Sequence, residues 1–600
     1  MKTSTLALIG SGPTSIYALQ HILDNSEVLG KQFHLISIFE KSSKLGYGMP
    51  FNPEFTDIYN LANISSEEIP KLPQTLANWL RAQDRNYLKD LNVVEFPIKD
   101  TEVYSRIALG AYFSAQLKLL LQNLKSKGFT IATYRNHNVI DIKTISNTTA
   151  EIITETHRFK FNKIIIATGH HWENKDQSES GYYDSPWPIF KLLNPSKDYY
   201  NFDIGILGAS LSAFDVVTSL AHRHGTFLRK NNRLTFKLHA KASGFKITLH
   251  DANGWLPHLQ YEQEQPYREI YRYTTRETLV NLKNEKDALF IETYFDEICR
   301  PALLNALEKD DLRDVIQLLN NNSFDFKQFI ETMAKKHEYL DSFVGMREEL
   351  ELADKLLKRN KPIHWMETLD DLMYSLNFHT DLFSAEDHLF FNTEIKPFLM
   401  NVIAALPLQS AEILLALYEA DCIALINGKV EIQNKTTHGT HLKIVDEDNN
   451  ETTKTYKLFI NSSGNDTIAF DNFPFKSLKI NGDISMAKAK FKTLSRIKDV
   501  RSSVPEDALL PVNDTLFLNL GGIAIDNVYR CLDENGQPSQ SIYDLAFNHI
   551  YGLRPYSYGL QACNATSQIM VTSLLDSALQ SDEPVEIQTI THTYDEERTL

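Results

Sequence analysis

Thr5-Leu6-Ala7-Leu8-Ile9-Gly10-Ser11-Gly12-Pro13-Thr14-Ser15 decides the fold. An apolar run stops at a glycine, turns, and opens into a helical pattern that lasts to Leu23. Phe33 to Phe39 is the next β-rich run, and Glu40 ends it. Strand, glycine turn, helix and strand make a βαβ unit. Gly10 allows the tight turn. Gly12 lets a pyrophosphate approach the backbone, where the helix N–H groups and dipole favour negative charge. The third glycine position is Ser15, which is still small enough for close helix–strand packing. Glu40 can accept hydrogen bonds from a ribose diol. The turn therefore predicts an adenosine diphosphate with an unphosphorylated ribose, held by Gly10, Gly12, Pro13, Thr14, Ser15 and Glu40, with Lys41 alongside.

Gly205-Ile206-Leu207-Gly208-Ala209-Ser210 also joins a strand to a helix, which contains Ala213. Its glycines are spaced more loosely. Gly208 and Ser210 are the expected phosphate contacts, and Ala213 in the helix is a further expected cofactor-binding residue. The run Leu234 to Ala240 reads as the following strand, and His239, Lys241, Ser243 and Lys246 stand near its end instead of an acid. A cation there fits a ribose 2′-phosphate, so Lys241 favours NADPH over NADH.

The rest of the chain sets the order of these units. Residues 41–105 are loop-rich, and an amphipathic helix is expected from Ser105 to Lys127. Residues 130–163 read as short alternating strands that feed a buried strand, Lys163 to Ala167. Residues from about 260 to 425 have helical periodicity and few glycines. Short strands return over 429–463, and a last helix is expected near 559–577. The fold class is α/β: two Rossmann-like dinucleotide-binding units in a glutathione-reductase-like arrangement, with a helical insertion. The expected domains are 1–200 for the first part of an FAD-binding unit and 201–258 for the first part of an NAD(P)-binding unit. Residues 259–428 form the helical insertion, read as a substrate or cap region. Residues 429–600 return to complete both units.

A formal net charge of −16 argues against a nucleic-acid partner, because a phosphate backbone needs a basic face. No apolar run approaches the roughly 18 residues of a membrane span. Cys299, Cys422, Cys531 and Cys563 form no CxxC pair, which disfavours a zinc site and a redox dithiol. Met1-Lys2-Thr3-Ser4 leads straight into the first strand without a basic leader, so the cytoplasm is expected. No HExxH, GxSxG or Cys/His cluster is present, so no metal is expected and no catalytic residue is assigned.

With both motifs placed, the intervening residues resemble the bacterial FAD/NAD(P)-binding oxidoreductases related to flavin-dependent monooxygenases, including N-hydroxylating ones. The resemblance rests on Leu45-Gly46-Tyr47-Gly48-Met49-Pro50-Phe51, on Leu61-Ala62-Asn63-Ile64-Ser65, and on Tyr104-Ser105-Arg106 with Gly110-Ala111-Tyr112. Ala167-Thr168-Gly169-His170 resembles the family's ATG turn, and Ser185-Pro186-Trp187-Pro188 the turn after it. Two details depart from the pattern. Ile69-Pro70 stands where Met-Ser is usual, and Tyr104-Ser105-Arg106 lacks a proline. The resemblance is dense over 1–250 and thin over 455–575, and the helical insertion resembles nothing.

The resemblance implies that the adenine end of FAD lies on Gly10–Ser15 and Glu40. Gly48 and Met49 would pass beside the flavin ring, with Asn63, Arg106, Thr168 and Gly169 as further cofactor contacts. The last helix, beginning near Tyr558 and Gly559, would aim its N-terminus at the flavin. NADPH would reduce FAD, and dioxygen would give a flavin hydroperoxide shielded from water. A small amine or amino-acid-like molecule is the implied substrate. His170 and His171 are placed to contact nicotinamide or to shape the cleft. Arg268, Arg272, Arg276, Arg300 and Arg554 are cationic candidates for an acidic substrate, each read first as a surface ion-pair residue. Two alternatives stay open: a flavin reductase or dehydrogenase with another acceptor, and a non-enzymatic nucleotide-binding interaction protein. The oligomeric state is open.

Overall fold

Leu6, Ala7 and Leu8 are all fully buried. β1 (Ser4–Ile9) therefore carries apolar side chains on both faces, as a central parallel strand must. The computed structural model describes residues 4–170, 174–193, 198–231, 233–261, 263–285, 290–336, 339, 341–359, 361–403, 406–464, 468–492, 504–513, 515–557 and 559–579. α1 (Pro13–Asp24) begins at a proline, whose missing N–H is no loss in a first turn. β2 (Phe33–Glu40) runs parallel to β1, with Ile36 opposite Leu6 and Phe39 opposite Ile9. α2 (Arg106–Ser126) is capped by Ser105, whose hydroxyl accepts from the Ala108 N–H at 3.2 Å. β3 (Thr130–Arg135) extends the sheet beyond β2, and β4 (Lys163–Ile166) pairs on the other side of β1. The expected meander lies between them as antiparallel strands Val139–Ser146, Thr149–Thr154 and Arg158–Phe161.

A second parallel sheet follows. β5 (Tyr182–Tyr183) is its edge, and β6 (Asp203–Leu207) leads through Gly208 into α3 (Leu211–His224). The strand beside β6 is β7 (Lys246–Asp251), with Thr248 opposite Gly205. This corrects the sequence reading. Arg233–Leu238 pairs only with Gly225–Lys230 in an antiparallel hairpin, outside the parallel sheet. The alternating apolar pattern of that run is equally that of a two-stranded ribbon, so periodicity alone does not separate the cases.

The chain then enters the helical region, from Arg276–Glu285 through α4 (His364–Asn377) to Leu408–Glu419. Its core is its own: Phe290, Phe295, Leu303, Phe326, Leu372 and Leu399 pack together, all buried. β8 (Ile423–Asn427) returns to the second sheet beyond β7, inside the stretch read as insertion. After three antiparallel strands, β9 (Phe459–Asn461) slots between β5 and β6. β10 (Pro538–Asp544) finally closes the first sheet beside β4, with Ile542 opposite Ile164. α5 (Leu560–Leu579) packs against α1, where the Ser567 hydroxyl donates to the Thr14 carbonyl at 2.9 Å.

The first unit is thus split by the second, which is itself split by the helices. The parts interlock. Tyr374 and Phe378 from the helical region are buried in the first sheet's core, while Tyr556 from the tail is buried in the helical core.

Candidate functional site

Gly10 ends β1 with φ +100, and a Cβ there would stand 2.3 Å from the Ala167 carbonyl oxygen. Only glycine fits this seam between β1 and β4. The Ser15 hydroxyl donates to the Gly10 carbonyl at 2.7 Å, which explains a serine at the third glycine position. Gly12 caps α1 with no side-chain hydrogen bond, so no side chain covers the first N–H groups of the helix. Glu40 faces the turn. Its Oε2 accepts from the Ser11 N–H at 3.2 Å and the Ser11 hydroxyl at 2.7 Å, and its Oε1 from the Ser42 N–H at 2.9 Å. Lys41 is exposed beside it. The Thr14 hydroxyl donates to Cys563 Sγ at 3.4 Å, so Thr14 serves the contact with α5.

The loop Gly46 to Phe51 closes over this turn. A Cβ on Gly48 would meet Pro13 Cδ at 2.9 Å, and one on Gly12 would meet Gly48 Cα at 3.2 Å. Met49 is the nearest neighbour of Gly169, 3.8 Å from where a Cβ would sit. Thr168 Oγ1 is buried without a hydrogen-bond partner. These features fit a dinucleotide: close-packed backbone at Gly10 and Gly48, an uncapped helix start, an acid facing it, and an orphaned hydroxyl. Gly559 lies at the start of α5 with φ +89 and open space around it. Tyr558 and His171 lie outside the described residues.

One acid on this edge escaped the sequence reading. Asp544 ends β10, the strand beside β4, and is fully buried. Its Oδ1 accepts from the Ala546 N–H at 2.9 Å, and its Oδ2 lies 2.8 Å from His549 Nδ1. The signal was present in Ser539 to Asp544, a short strand ending in a carboxylate like Phe33 to Glu40.

In the second unit Gly208 has φ +106, and Ser210 starts α3 exposed and with no side-chain cap bond. Ala213 is fully buried in the core beneath, so it packs and does not face a ligand. Lys241 is exposed on a short turn after the hairpin, away from the end of β7, which corrects its assignment to the neighbouring strand. The residue at the end of β7 is Asp251. Its Oδ1 accepts from the N–H groups of Asn253 at 3.0 Å and Trp255 at 3.1 Å.

Arg106 and Asn63 also differ from expectation. Arg106 Nη2 pairs with Asp215 Oδ2 on α3 at 2.7 Å, and its Nε donates to the Leu61 carbonyl at 3.0 Å. The guanidinium is committed to joining the two units. Asn60 supports it, donating from Nδ2 to the Asp215 carbonyl at 3.0 Å. Asn63 is exposed, and its carbonyl accepts from Gln260. At Ile69-Pro70, where the sequence departs from the family pattern, the Pro70 carbonyl accepts from the buried Tyr17 hydroxyl at 3.2 Å.

Burial outweighs Arg106 and pushes the Asp215 carboxyl up to about 7. The folded protein therefore holds this proton more tightly than the unfolded chain, where an aspartate titrates near ~4. The stability contributed is full below about pH 4 and lost as pH rises through about 7. Thermal melts should show a larger fall between about pH 5 and about pH 8 in the native protein than in Asp215→Asn. Identical pH profiles would remove Asp215 as a cause.

The helical region meets the tail through α4 and the segment Leu553 to Ser557. Asn377 Oδ1 accepts from the Tyr556 N–H at 2.8 Å, and its Nδ2 donates to Ser557 Oγ at 2.5 Å. The Tyr556 hydroxyl donates to Asp370 Oδ1 at 2.7 Å, and Arg268 Nε donates to Asp370 Oδ2 at 2.6 Å. Gln561, at the start of α5, accepts from the Arg268 N–H at 2.9 Å and donates to the Glu68 and Pro266 carbonyls. All five arginines named from the sequence lie in ion pairs: Arg268 with Asp370, Arg272 with Asp371, Arg276 and Arg554 with Asp381, and Arg300 with Asp296. Arg554 is not a surface group, since its side chain is 1% exposed. Near Gly169, His170 lies edge-on to Phe547, Phe547 edge-on to Tyr551, and Lys396 of the helical region sits 4.4 Å over the Tyr551 ring.

Among the described residues no helix is long and apolar enough to cross a membrane. None of their His, Cys, Asp and Glu side chains form a group of three suited to a metal.

Two parallel sheets, each with a glycine turn feeding an uncapped helix, make an FAD/NAD(P)-binding fold of the two-dinucleotide type, whose cofactors are FAD and a nicotinamide dinucleotide. Residues 7–171 match the FAD-NAD(P)-binding family, and residues 275–403 match the YdhS-like middle domain, which places the insertion that resembled nothing. The chain is 27% identical over 526 residues to the uncharacterized protein YdhS of Escherichia coli strain K12, spanning 84% of this chain and 92% of that one. Among solved structures it is similar to the ornithine hydroxylase PvdA of Pseudomonas aeruginosa, at 11% identity and a TM-score of 0.43, over 96% of this chain and 100% of that one. It is also similar to the cadaverine monooxygenase DfoA of Erwinia amylovora, at 10% identity and a TM-score of 0.40, over 98% and 96%.

Proposed function

We propose that this chain is an FAD-dependent monooxygenase that consumes NADPH and acts on a small amine or amino-acid-like molecule. The observation that carries the reading is two dinucleotide edges in one chain with no dithiol to receive the electrons. Cys299, Cys422 and Cys531 are free and buried, and Cys563 is free and half-buried against Thr14. Burial pushes every one of these thiols above its ordinary pKa, the opposite of a reactive cysteine. Dioxygen is then the simplest acceptor. The electrons balance: the donor gives a hydride, dioxygen places one atom in the substrate, and the other leaves as water with a proton from solvent.

When bound, FAD supplies the hydride acceptance and the oxygen chemistry. The chain binds and encloses it. Glu40 is the acceptor for the ribose hydroxyls, and the start of α1 takes the diphosphate. Thr168 Oγ1 holds one hydrogen bond ready for the cofactor. Phe547, Tyr551 and Lys396, packed outward from His170, would shield the Gly169 edge from water.

The test is NADPH oxidation under labelled dioxygen with candidate amines and amino acids. Stimulated oxidation with label in the product supports the reading. Stimulated oxidation with no label in any product leaves a reductase, and a colourless protein that takes up no FAD leaves a non-enzymatic role. NADPH and NADH are compared in parallel, because Asp251 ends β7 where a ribose diol would be read, which makes NADH the competitor.

A further inference from the structure

Arg554 is a guanidinium with 1% of its side chain exposed, and its nearest carboxylate oxygen, Asp381 Oδ1, is 3.8 Å away. Its Nη1 donates to Thr380 Oγ1 and the Leu553 carbonyl, both at 3.0 Å, and its Nε has no partner. Buried charges are normally paired closely. Arg276 takes the same carboxylate at 2.6 Å and donates from Nη1 to His379 Nδ1 at 2.9 Å. That bond makes Nδ1 an acceptor, so the proton of the neutral ring sits on Nε2. His379 Nε2 is buried and has no partner either. Two guanidinia thus share one carboxylate, and two N–H donors lack acceptors.

We propose that Arg276, Arg554 and His379 form a seat for the carboxylate of a small substrate, which Asp381 fills as an internal stand-in. Asp381 shows the ligand class, since a planar carboxylate already meets the Arg276 fork. It sits on a short turn, Thr380–Leu382, with 27% of its side chain exposed, as is 25% of Arg276. The seat is therefore reached from the Asp381 side, and its floor is Arg554. It lies beside the carboxyl edge of the first sheet. The Asp544 N–H at the sheet edge donates to the Tyr529 carbonyl at 3.0 Å, and the Arg554 guanidinium lies 5.7 Å over the Tyr529 ring. The inference rests on the proposed oxidoreductase reading and narrows its substrates to those bearing a carboxylate.

The test is calorimetric titration of the full-length protein, its flavin content recorded, with propionate, inorganic phosphate and propylamine. Propionate is expected to bind about tenfold tighter to Asp381→Asn and at least about tenfold weaker to Arg554→Lys, while propylamine follows neither variant. If Arg554→Lys fails to fold, Arg276→Gln gives the same comparison from the exposed side. Propionate affinity unchanged in the variants, or phosphate following them in its place, overturns the seat. The titration needs no turnover. Propionate binding without oxygen incorporation sinks the reaction reading alone, and oxygen incorporation without propionate binding sinks the seat alone.

Discussion

Gly12→Ala is expected to give a folded protein that purifies without its flavin. Gly12 has φ −74 and ψ −170, extended backbone open to any residue. The atom nearest to an added Cβ is Gly48 Cα at 3.2 Å, so the loop need shift only slightly. The methyl group would stand at the cap of α1, where the diphosphate must approach the helix N–H groups. Flavin bound per chain should fall by at least about tenfold, read from the visible absorbance. The apoproteins of mutant and native chain should melt within about 2 °C of one another. Gly10→Ala is the contrasting control. Its Cβ would fall 2.3 Å from the Ala167 carbonyl at φ +100, and it should cost about 3 kcal/mol or more of the fold itself. A yellow Gly12→Ala protein with native flavin content would move the diphosphate away from α1.

The difference between these two glycines also marks what the sequence made legible. The first unit could be read because each local signal agreed: a strand buried on both faces, a glycine turn, Pro13 opening a helix, and Glu40 at the end of the next strand. The nested order followed from a second turn of the same kind and a late return of β-rich sequence. The second unit was read one strand too early. Arg233–Leu238 carries the same alternation as a sheet strand, and nothing local says that its partner is Gly225–Lys230 rather than β6. With Lys246–Asp251 as the strand beside β6, Asp251 and not Lys241 stands at its end. Arg106 was misassigned for a related reason. Its role depends on Asp215 on α3, in the other dinucleotide unit, and a motif records the residue but not its partner. Asp370 and Tyr556 are invisible in the sequence because their roles come from the non-local packing of α4 against the tail.

The last of these contacts sets the second large effect, at Asp370. This carboxylate is buried and takes Arg268 Nε at 2.6 Å and the Tyr556 hydroxyl at 2.7 Å. Removing it in Asp370→Ala takes an acceptor from the fully buried Tyr556 hydroxyl and the counter-charge from a partly buried guanidinium. Breaking a buried pair in this way costs about 3–5 kcal/mol, well beyond the direct worth of the bonds. Asp371 lies beside it with its carboxyl pushed up to about 7, mainly by burial and partly by the Asp370 charge. Relief of that repulsion offsets a little of the loss, so the lower end of the range is expected. Asp370→Asn keeps acceptor capacity and should cost only about 1–2 kcal/mol, and Tyr556→Phe about 1 kcal/mol. Because Tyr556 sits in the helical core while Tyr374 and Phe378 sit in the first core, the two regions should unfold together in urea in the native protein. In Asp370→Ala the helical region should melt first, splitting one transition into two when followed by circular dichroism and by flavin fluorescence. A single transition displaced by less than about 1 kcal/mol would show that the seam is held by its apolar contacts, and that the buried carboxylate is a bystander.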